Sequence, residues 1–206
     1  MQKTIAVLAV QGAFAEHESR LRALGCSIIE LRQRADLQQP FDGLVLPGGE
    51  STTQAKLLRD LGMLEPLRQR IQSGLPVLGT CAGLILLAES VRSASDGRNP
   101  ISDLLMPILG FATLPVTVVR NGYGRQLGSF TATAPLHVEH SEGDGTPSIP
   151  LTFIRAPRIT ATGEGIETLV ALNGEPVAVR RKNQIGCCFH PELNEDNHLY
   201  ELFLTQ

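Results

Sequence analysis

The sequence predicts an α/β fold with a mostly parallel central sheet and extra antiparallel strands in its C-terminal half. Residues 4–10 (TIAVLAV) form a continuous apolar run, which is typical of a strand covered on both faces. Strand-like and helix-like segments alternate as far as residue 91, and this spacing favours parallel strands joined by right-handed crossovers. From residue 115 onward short strands dominate. We expect a single domain covering residues 1–206.

The alternating half contains predicted strands separated by predicted helices. The strands cover residues 4–10, 27–31, 43–46 and 76–79, and the helices cover residues 13–24, 52–61, 65–73 and 84–91. Gly25 and Gly74 stand where helix C-caps belong, and Pro66 lies near the first turn of the third helix. Ser51 or Thr52 is the expected N-cap of the second helix.

The C-terminal half combines short strands with turn-rich loops. Residues 93–100 and 141–150 are polar and rich in Gly, Ser and Pro, so surface loops are predicted there. The predicted strands cover residues 115–119, 127–133, 151–154, 168–172, 177–180 and 185–189, and a last helix covers residues 195–204.

The composition excludes several classes of function. The chain has 206 residues with 18 Lys+Arg against 21 Asp+Glu, and it lacks a basic cluster with interleaved aromatics, so no nucleic-acid partner is expected. No apolar run approaches the roughly 18 residues of a membrane span, so no membrane association is expected. The four cysteines, Cys26, Cys81, Cys187 and Cys188, form no CxxC pair. We therefore expect no metal, no disulfide framework and a cytoplasmic location.

Residues 79–83 (GTCAG) give the strongest chemical signal. A predicted buried strand leads into a G-x-C-x-G turn and an apolar helix follows, which is the cysteine form of a nucleophile elbow. Cys81 would stand at a helix N-terminus, which favours the thiolate, and the N–H of Ala82 could stabilise an oxyanion. The alternative is a small buried cysteine in a tight turn.

His190 has the best context for a base that would serve Cys81. It ends the predicted strand 185–189 and precedes Pro191, which favours an extended conformation. In an extended segment residues i and i+2 point the same way, so Glu192 can reach the ring nitrogen that His190 does not offer to Cys81. The alternative is a partly buried histidine beside a surface glutamate. Solvated or structural roles are expected for the other histidines, His17, His137, His140 and His198.

Residues 47–51 (PGGES) lie between a predicted strand and a predicted helix. Gly48 and Gly49 allow the backbone to approach a ligand closely and to direct N–H groups at it. The sequence has neither the lysine of a P-loop nor a GxGxxG motif here, which argues against a nucleotide. An oxyanion-hole strand or a carboxylate nest is favoured, and the plain alternative is a β-turn before a capped helix.

Together these motifs resemble the class I (triad) glutamine amidotransferases. Within that class the resemblance is to the glutaminase subunits of pyridoxal 5′-phosphate synthase, and it extends over about residues 4–203. The blocks that carry it are AVQGA at 9–13, PGGESTT at 47–53, GTCAGLILLA at 79–88, RNGYGRQ at 120–126, FIRAP at 153–157 and FHPEL at 189–193. The resemblance implies a class I glutamine amidotransferase-like (flavodoxin-like) three-layer sandwich.

The resemblance also implies an activity and a set of site residues. Cys81 would attack the side-chain amide of glutamine, His190 would move the proton to the departing ammonia, and Glu192 would hold His190 in its working tautomer. Gly49 and Ala82 would form the oxyanion hole. Contacts to glutamine map to Gly49, Glu50, Ser51, Arg120, Ile154 and Arg155. Gln11 matches a position beside the oxyanion hole that is linked to activation by the partner.

The implied partner is the synthase subunit, a (β/α)₈ barrel that forms a dodecameric core decorated by glutaminase subunits. Ammonia would pass internally to this subunit, which makes pyridoxal 5′-phosphate. That compound would be the product of the complex and not a cofactor of this chain. The resemblance implies no metal either.

Other functions stay open at this point. One is a glutaminase that serves histidine or guanine nucleotide synthesis, although RNGYGRQ and FIRAP argue against it. A cysteine hydrolase of the DJ-1/PfpI-like superfamily is disfavoured by the late HPE motif, and a non-catalytic subunit by the presence of Cys81, His190 and Glu192 together.

The sequence departs from the family in a longer stretch at 93–111, no acidic residue at 112–114 and an enlarged loop at 141–150. Cys187 and Cys188 are expected to be core residues.

Overall fold

The computed structural model describes residues 2–93, 110–123, 128–137 and 146–206. The helices are α1 (Phe14–Ala23), α2 (Ser51–Asp60), α3 (Leu64–Gln72), α4 (Ala82–Leu87) and α5 (His198–Leu204). The strands are β1 (Thr4–Leu8), β2 (Ser27–Leu31), β3 (Gly43–Leu46), β4 (Val77–Thr80), β5 (Ala88–Ser93), β6 (Leu114–Arg120), β7 (Ser129–Pro135), β8 (Ser148–Ile154), β9 (Arg158–Thr162), β10 (Glu167–Leu172), β11 (Glu175–Arg181) and β12 (Gln184–Cys187). Short 3₁₀ helices cover Arg34–Gln38 and Pro191–Leu193.

The central sheet has the strand order β10-β11-β12-β4-β3-β1-β2. The strands from β12 to β2 are parallel, whereas β11 and β10 are antiparallel to their neighbours. The prediction of a mostly parallel sheet with extra antiparallel strands in the C-terminal half is therefore confirmed. Two smaller sheets, β5-β6-β9 and β7-β8, lie beside it.

The middle of the sheet is covered on both faces. Every residue of β3 and β4 is buried, as the short apolar sequences GLVL and VLGT predict for central parallel strands. A Cβ on Gly43 would lie 2.8 Å from Cζ of Phe203, which shows how closely α5 packs against β3. Because all these strands end near the same sheet edge, the loops that follow β1, β3 and β4 meet there.

The helix predicted at 84–91 is wrong in its second half. Helix α4 ends at Leu87, and Ala88–Ser93 forms β5, which pairs in parallel with β6. Ala88 has extended backbone angles, and Val91 points into the core while its neighbours are more exposed. An apolar run cannot by itself distinguish a buried helix from a buried strand, and here pairing with β6 decides the outcome.

Other boundaries also differ from the predictions. Strand β9 was not predicted, because only Ile159 of its five residues is buried and the apolar signal is therefore weak. Strand β8 begins at Ser148, inside the predicted loop 141–150, because it pairs with β7 as far as Pro135. The rest of that loop from 141 to 145, and residues 94–100 of the other predicted loop, lie outside the described residues. Helix α5 begins at His198 rather than at residue 195, and the N–H of His198 donates to the Asp196 carboxylate at 3.1 Å.

All four cysteines are buried free thiols. Cys187 and Cys188 are fully buried, as expected for core residues, and burial raises the pKa of both thiols well above the usual range. A thiol that stays protonated is a poor nucleophile, so these two residues have the chemistry of core side chains. Within the described ranges, no helix combines the length and the apolar character that crossing a membrane requires.

Candidate active site

Cys81 occupies a sharp turn between β4 and α4. Its backbone has φ 49° and ψ −99°, a conformation that non-glycine residues rarely adopt. The flanking glycines make the turn possible, because a Cβ on Gly83 would lie 2.0 Å from the carbonyl oxygen of Leu46 and one on Gly79 would lie 2.9 Å from that of Gly83. The N–H of Cys81 donates to the carbonyl of Cys187 at 2.9 Å, which ties the turn to β12. The strand–turn–helix geometry predicted from GTCAG is thus present.

His190 is brought to the same place by the chain that follows β12. Its N–H donates to the carbonyl of Thr152 on β8 at 2.8 Å, and its ring lies beside Cys81 at the same cavity. Nδ1 of the ring lies 2.6 Å from Oε1 of Glu192. The contact joins the residues that sequence reasoning paired, but by a different route. Residues Pro191–Leu193 form a 3₁₀ turn rather than an extended segment, and this turn folds Glu192 back onto the ring.

The electrostatics of these three residues favour a charged pair. Burial acts to lower the pKa of His190, but the hydrogen bonds to Cys81 and Glu192 outweigh it and raise that pKa to about 10. Burial acts to raise the pKa of Glu192, and the hydrogen bond to His190 lowers it below the ordinary value. The Glu192 carboxylate stabilises the imidazolium that forms when His190 takes the proton of Cys81, so the three side chains can support nucleophilic attack followed by proton transfer.

Cys81 and His190 lie at a cavity of about 340 Å³ on the edge of the sheet. The cavity is lined by all six residues predicted to contact a ligand, Gly49, Glu50, Ser51, Arg120, Ile154 and Arg155. Two other predicted site residues do not line it: Ala82 is buried in the first turn of α4, and Glu192 is buried behind His190. The side-chain hydroxyl of Ser51 is buried and has no hydrogen-bond partner among the described residues.

Glu50 has a structural role that the sequence did not predict. Its carboxylate caps α2 by accepting from the N–H of Thr53 at 2.8 Å, so the prediction of Ser51 or Thr52 as the cap is wrong. The other carboxylate oxygen pairs with Nη2 of Arg120 at 2.7 Å. Burial opposes ionisation, but the hydrogen bonds from Thr52 and Thr53 lower the pKa of Glu50 to about 2. The pair presents one negative and one positive group at the same wall of the cavity.

The PGGES segment is held against the loop after β1. The carbonyl of Gly48 accepts from the N–H of Ala13 at 3.0 Å, and Oε1 of Gln11 accepts from the N–H of Glu50 at 2.8 Å. A Cβ on Gly48 would lie 2.4 Å from Cε1 of His190, so the backbone approaches the ring as closely as only glycine permits. Gln11 therefore contacts the backbone of Glu50, the residue after Gly49, at the cavity that Cys81 and His190 also line.

Sequence reasoning missed His17. Of the two expected roles, solvated or structural, its full burial fits the structural one, but its place behind Glu192, with Nε2 3.4 Å from Oε2 of that residue, was not foreseen. Its helix position carried a signal, since His17 lies on the same face of α1 as Phe14 and Leu21 and that face is apolar. The other histidines match expectation where they are described: His137 is exposed, and His198 pairs with Asp196 near the surface. His140 lies outside the described residues.

Among the described residues, no group of three or more His, Cys, Asp and Glu side chains is arranged to hold a metal ion.

The chain is similar to known proteins over nearly its whole length. The model of the SNO glutamine amidotransferase family matches residues 7–206. The pyridoxal 5′-phosphate synthase subunit PdxT of Desulfitobacterium hafniense (strain Y51) is 54% identical over 97% of this chain and 91% of its own length. The protein of the same name from Methanocorpusculum labreanum is 49% identical over 97% of this chain and 95% of its own length.

Solved structures show the same fold. A crystal structure of a glutamine amidotransferase superposes with a TM-score of 0.82 at 38% identity, covering 98% of this chain and 97% of the other. A glutamine amidotransferase from Thermotoga maritima, at 15% identity and a TM-score of 0.59 over 93% of this chain and 76% of the other, supports the fold alone. The predicted class I glutamine amidotransferase-like architecture is therefore confirmed, and the chain belongs to the SNO glutamine amidotransferase family.

Proposed function

We propose that this chain hydrolyses L-glutamine to L-glutamate and ammonia as the glutaminase subunit of a pyridoxal 5′-phosphate synthase. The observation that carries the proposal is that Cys81 and His190 line one small polar cavity, with Glu192 2.6 Å behind the His190 ring. It occurs in a chain that is 54% identical to a named subunit of that synthase. The whole chain acts in this proposal as one glutaminase domain.

The reaction follows from the protonation states of the three side chains. His190 takes the thiol proton of Cys81, and the sulfur attacks the carboxamide carbon of glutamine. His190 then gives that proton to the leaving nitrogen, so that ammonia departs and a γ-glutamyl thioester remains. Water then attacks the thioester carbon while His190 accepts its proton. The C–S bond breaks, glutamate leaves and the resting pair is restored. Glu192 stays ionised throughout and stabilises the imidazolium through the 2.6 Å contact.

The oxyanion that forms in both steps needs donors in a fixed position. Ala82 is the first residue of α4, where backbone N–H groups have no partner within the helix. Gly49 lies on the other wall of the cavity. Since Gln11 holds the adjacent N–H of Glu50, a shift of Gln11 on partner binding would alter this wall, which supports a role for Gln11 in activation.

An α-amino acid matches the opposite side of the cavity. Arg120 and Arg155 can attract its carboxylate, and the Glu50 carboxylate can attract its ammonium group. Ser51 also lines the cavity and belongs to the proposed set of substrate contacts. Ile154, which is 39% exposed, offers an apolar contact to the aliphatic part of a ligand.

The partner in this proposal is the synthase subunit, a (β/α)₈ barrel assembled into a large hetero-oligomer with a dodecameric core. Ammonia released in water is lost by diffusion and protonation, so delivery through an internal channel would couple the two reactions. The chain itself uses no cofactor and no metal, and it works in the cytoplasm.

Glutamate release tests the proposal. The purified chain is given L-glutamine alone and then with an equimolar synthase subunit. We expect low release alone and a large rise with the partner, because in this proposal partner binding shifts Gln11 and with it the wall that holds the oxyanion. Strong release without the partner would contradict the coupling, and no release in either mixture would contradict the glutaminase assignment.

A further inference from the structure

Behind the three reacting residues lies a buried polar network that belongs to other elements of the fold. His17 from α1 is fully buried, and its Nε2 lies 3.1 Å from Oγ1 of Thr80 and 3.4 Å from Oε2 of Glu192. Its Nδ1 lies 2.7 Å from the hydroxyl of Tyr200 on α5. Tyr200 is also fully buried. Three separate elements thus converge on the far side of the Glu192 carboxylate.

Glu192 uses its two carboxylate oxygens unequally. Oε1 contacts His190 at 2.6 Å, whereas Oε2 is buried and has no hydrogen bond of ordinary geometry among the described residues. The polar atom that stands beside Oε2 is Nε2 of His17. A buried carboxylate oxygen that faces no donor would destabilise the ionised form, so the state of this nitrogen matters for Glu192.

The neighbours of His17 determine which nitrogen carries its proton. Burial lowers the pKa of His17, which favours the neutral ring, and burial raises the pKa of Tyr200, which keeps its hydroxyl protonated. The only hydrogen-bond partner described for that hydroxyl is Nδ1 of His17, so a proton on Nδ1 would leave the hydroxyl hydrogen of Tyr200 without an acceptor. It would also turn the lone pair of Nε2 towards the Glu192 carboxylate. A proton on Nε2 avoids both costs.

We propose that His17 is a positioning residue for Glu192: the neutral ring carries its proton on Nε2, faces Oε2 with that N–H, and is fixed by a hydrogen bond donated from Tyr200 to Nδ1. Thr80 Oγ1 shares the same N–H. His17 does not touch the substrate cavity, and it acts on the reaction only through Glu192 and His190. The inference rests on the proposed glutaminase function for its kinetic consequence, but the tautomer and the contact to Glu192 do not depend on it.

The first test is the tautomer itself, measured by NMR of the chain labelled with ¹⁵N-histidine. The His17 signals are assigned from their loss in His17→Gln. We expect a protonated Nε2 and an unprotonated Nδ1 in the unsubstituted chain, and a weaker preference in Tyr200→Phe, which removes only the hydroxyl. A proton on Nδ1 would overturn the proposal. This readout needs no glutamine and no partner, so it stands even if the glutaminase assignment fails.

The second test is kinetic, in the complex with the synthase subunit. His17→Leu should lower kcat about ten- to a hundredfold with little change in KM, a loss of the size seen when the hydrogen-bond partners that orient metal-ligating histidines are removed. Tyr200→Phe should lower kcat about two- to tenfold, the effect of one neutral hydrogen bond. His17→Gln can again present an N–H to Glu192 and should recover part of the loss.

The matched control is His198→Gln, which removes an exposed histidine and should leave kcat unchanged. If His17→Leu does not fold, Tyr200→Phe and His17→Gln carry the test. Unchanged kcat in the folded His17 and Tyr200 variants would overturn the proposal. Equal loss of activity in His17→Gln and His17→Leu, in parallel with lost thermal stability, would assign His17 to the core alone.

Discussion

Replacing Cys81 by alanine is expected to abolish glutamine hydrolysis while the fold is retained. The side chain is small and 7% exposed, and Ala keeps the backbone of the turn at φ 49° with the same Cβ, so little packing changes. Loss of a nucleophile typically costs at least about a thousandfold in kcat, because the other groups cannot form the covalent intermediate. Glutamate release in the presence of the synthase subunit measures the effect, and circular dichroism checks the fold.

Cys26→Ala is the matched control, since Cys26 is also a buried free thiol and is 8% exposed, but it lies outside the cavity. It should keep the activity of the unsubstituted chain. Retention of more than a few per cent of activity in Cys81→Ala would refute the assignment of Cys81 as the nucleophile.

Replacing Gly48 by alanine should have the second largest effect. Its new Cβ would lie 2.4 Å from Cε1 and 3.0 Å from Nδ1 of His190, so the ring must move away from Cys81 and Glu192. Because a displacement of about 1 Å in a catalytic group can cost about a hundredfold, we expect kcat to fall by at least that factor. Steady-state kinetics with the partner present measure it.

Gly174→Ala is the control for this substitution. Gly174 has φ +82° with nothing within 4 Å of an added Cβ, so the change strains the backbone by about 1–2 kcal/mol without touching the cavity. Its kcat should be unchanged. Full activity in Gly48→Ala would mean that the close approach of this backbone to His190 is unimportant for the reaction.

Local signals predicted much of the fold. The bounds predicted for β2 and β3 agree with the structure residue for residue, because turn residues punctuate short apolar runs there. The elbow at Cys81 was also predictable, because GTCAG encodes both the turn and the residue at its tip. His190 and Glu192 are only two positions apart, so their closeness in the sequence indicated the contact. The 3₁₀ turn that forms it was not foreseen.

What the sequence could not predict depends on contacts between distant segments. Strand β9 has a weak apolar pattern and is defined by pairing with β6. The capping role of Glu50 was missed because Glu is an unusual N-cap, and its carboxylate is held by Thr53 and Arg120 together. The contact of His17 with Tyr200 joins residues 183 positions apart, which no local pattern reveals.

The central claim is that glutamine is cleaved through a thioester on Cys81. Mass spectrometry of the chain, quenched in acid during turnover of L-glutamine with the synthase subunit, tests it most directly. We expect an adduct with the mass of one γ-glutamyl group on the peptide that contains Cys81, and no adduct in Cys81→Ala. Turnover without any adduct under conditions that trap thioesters, or an adduct on Cys26, Cys187 or Cys188 instead, would show that Cys81 does not form the thioester.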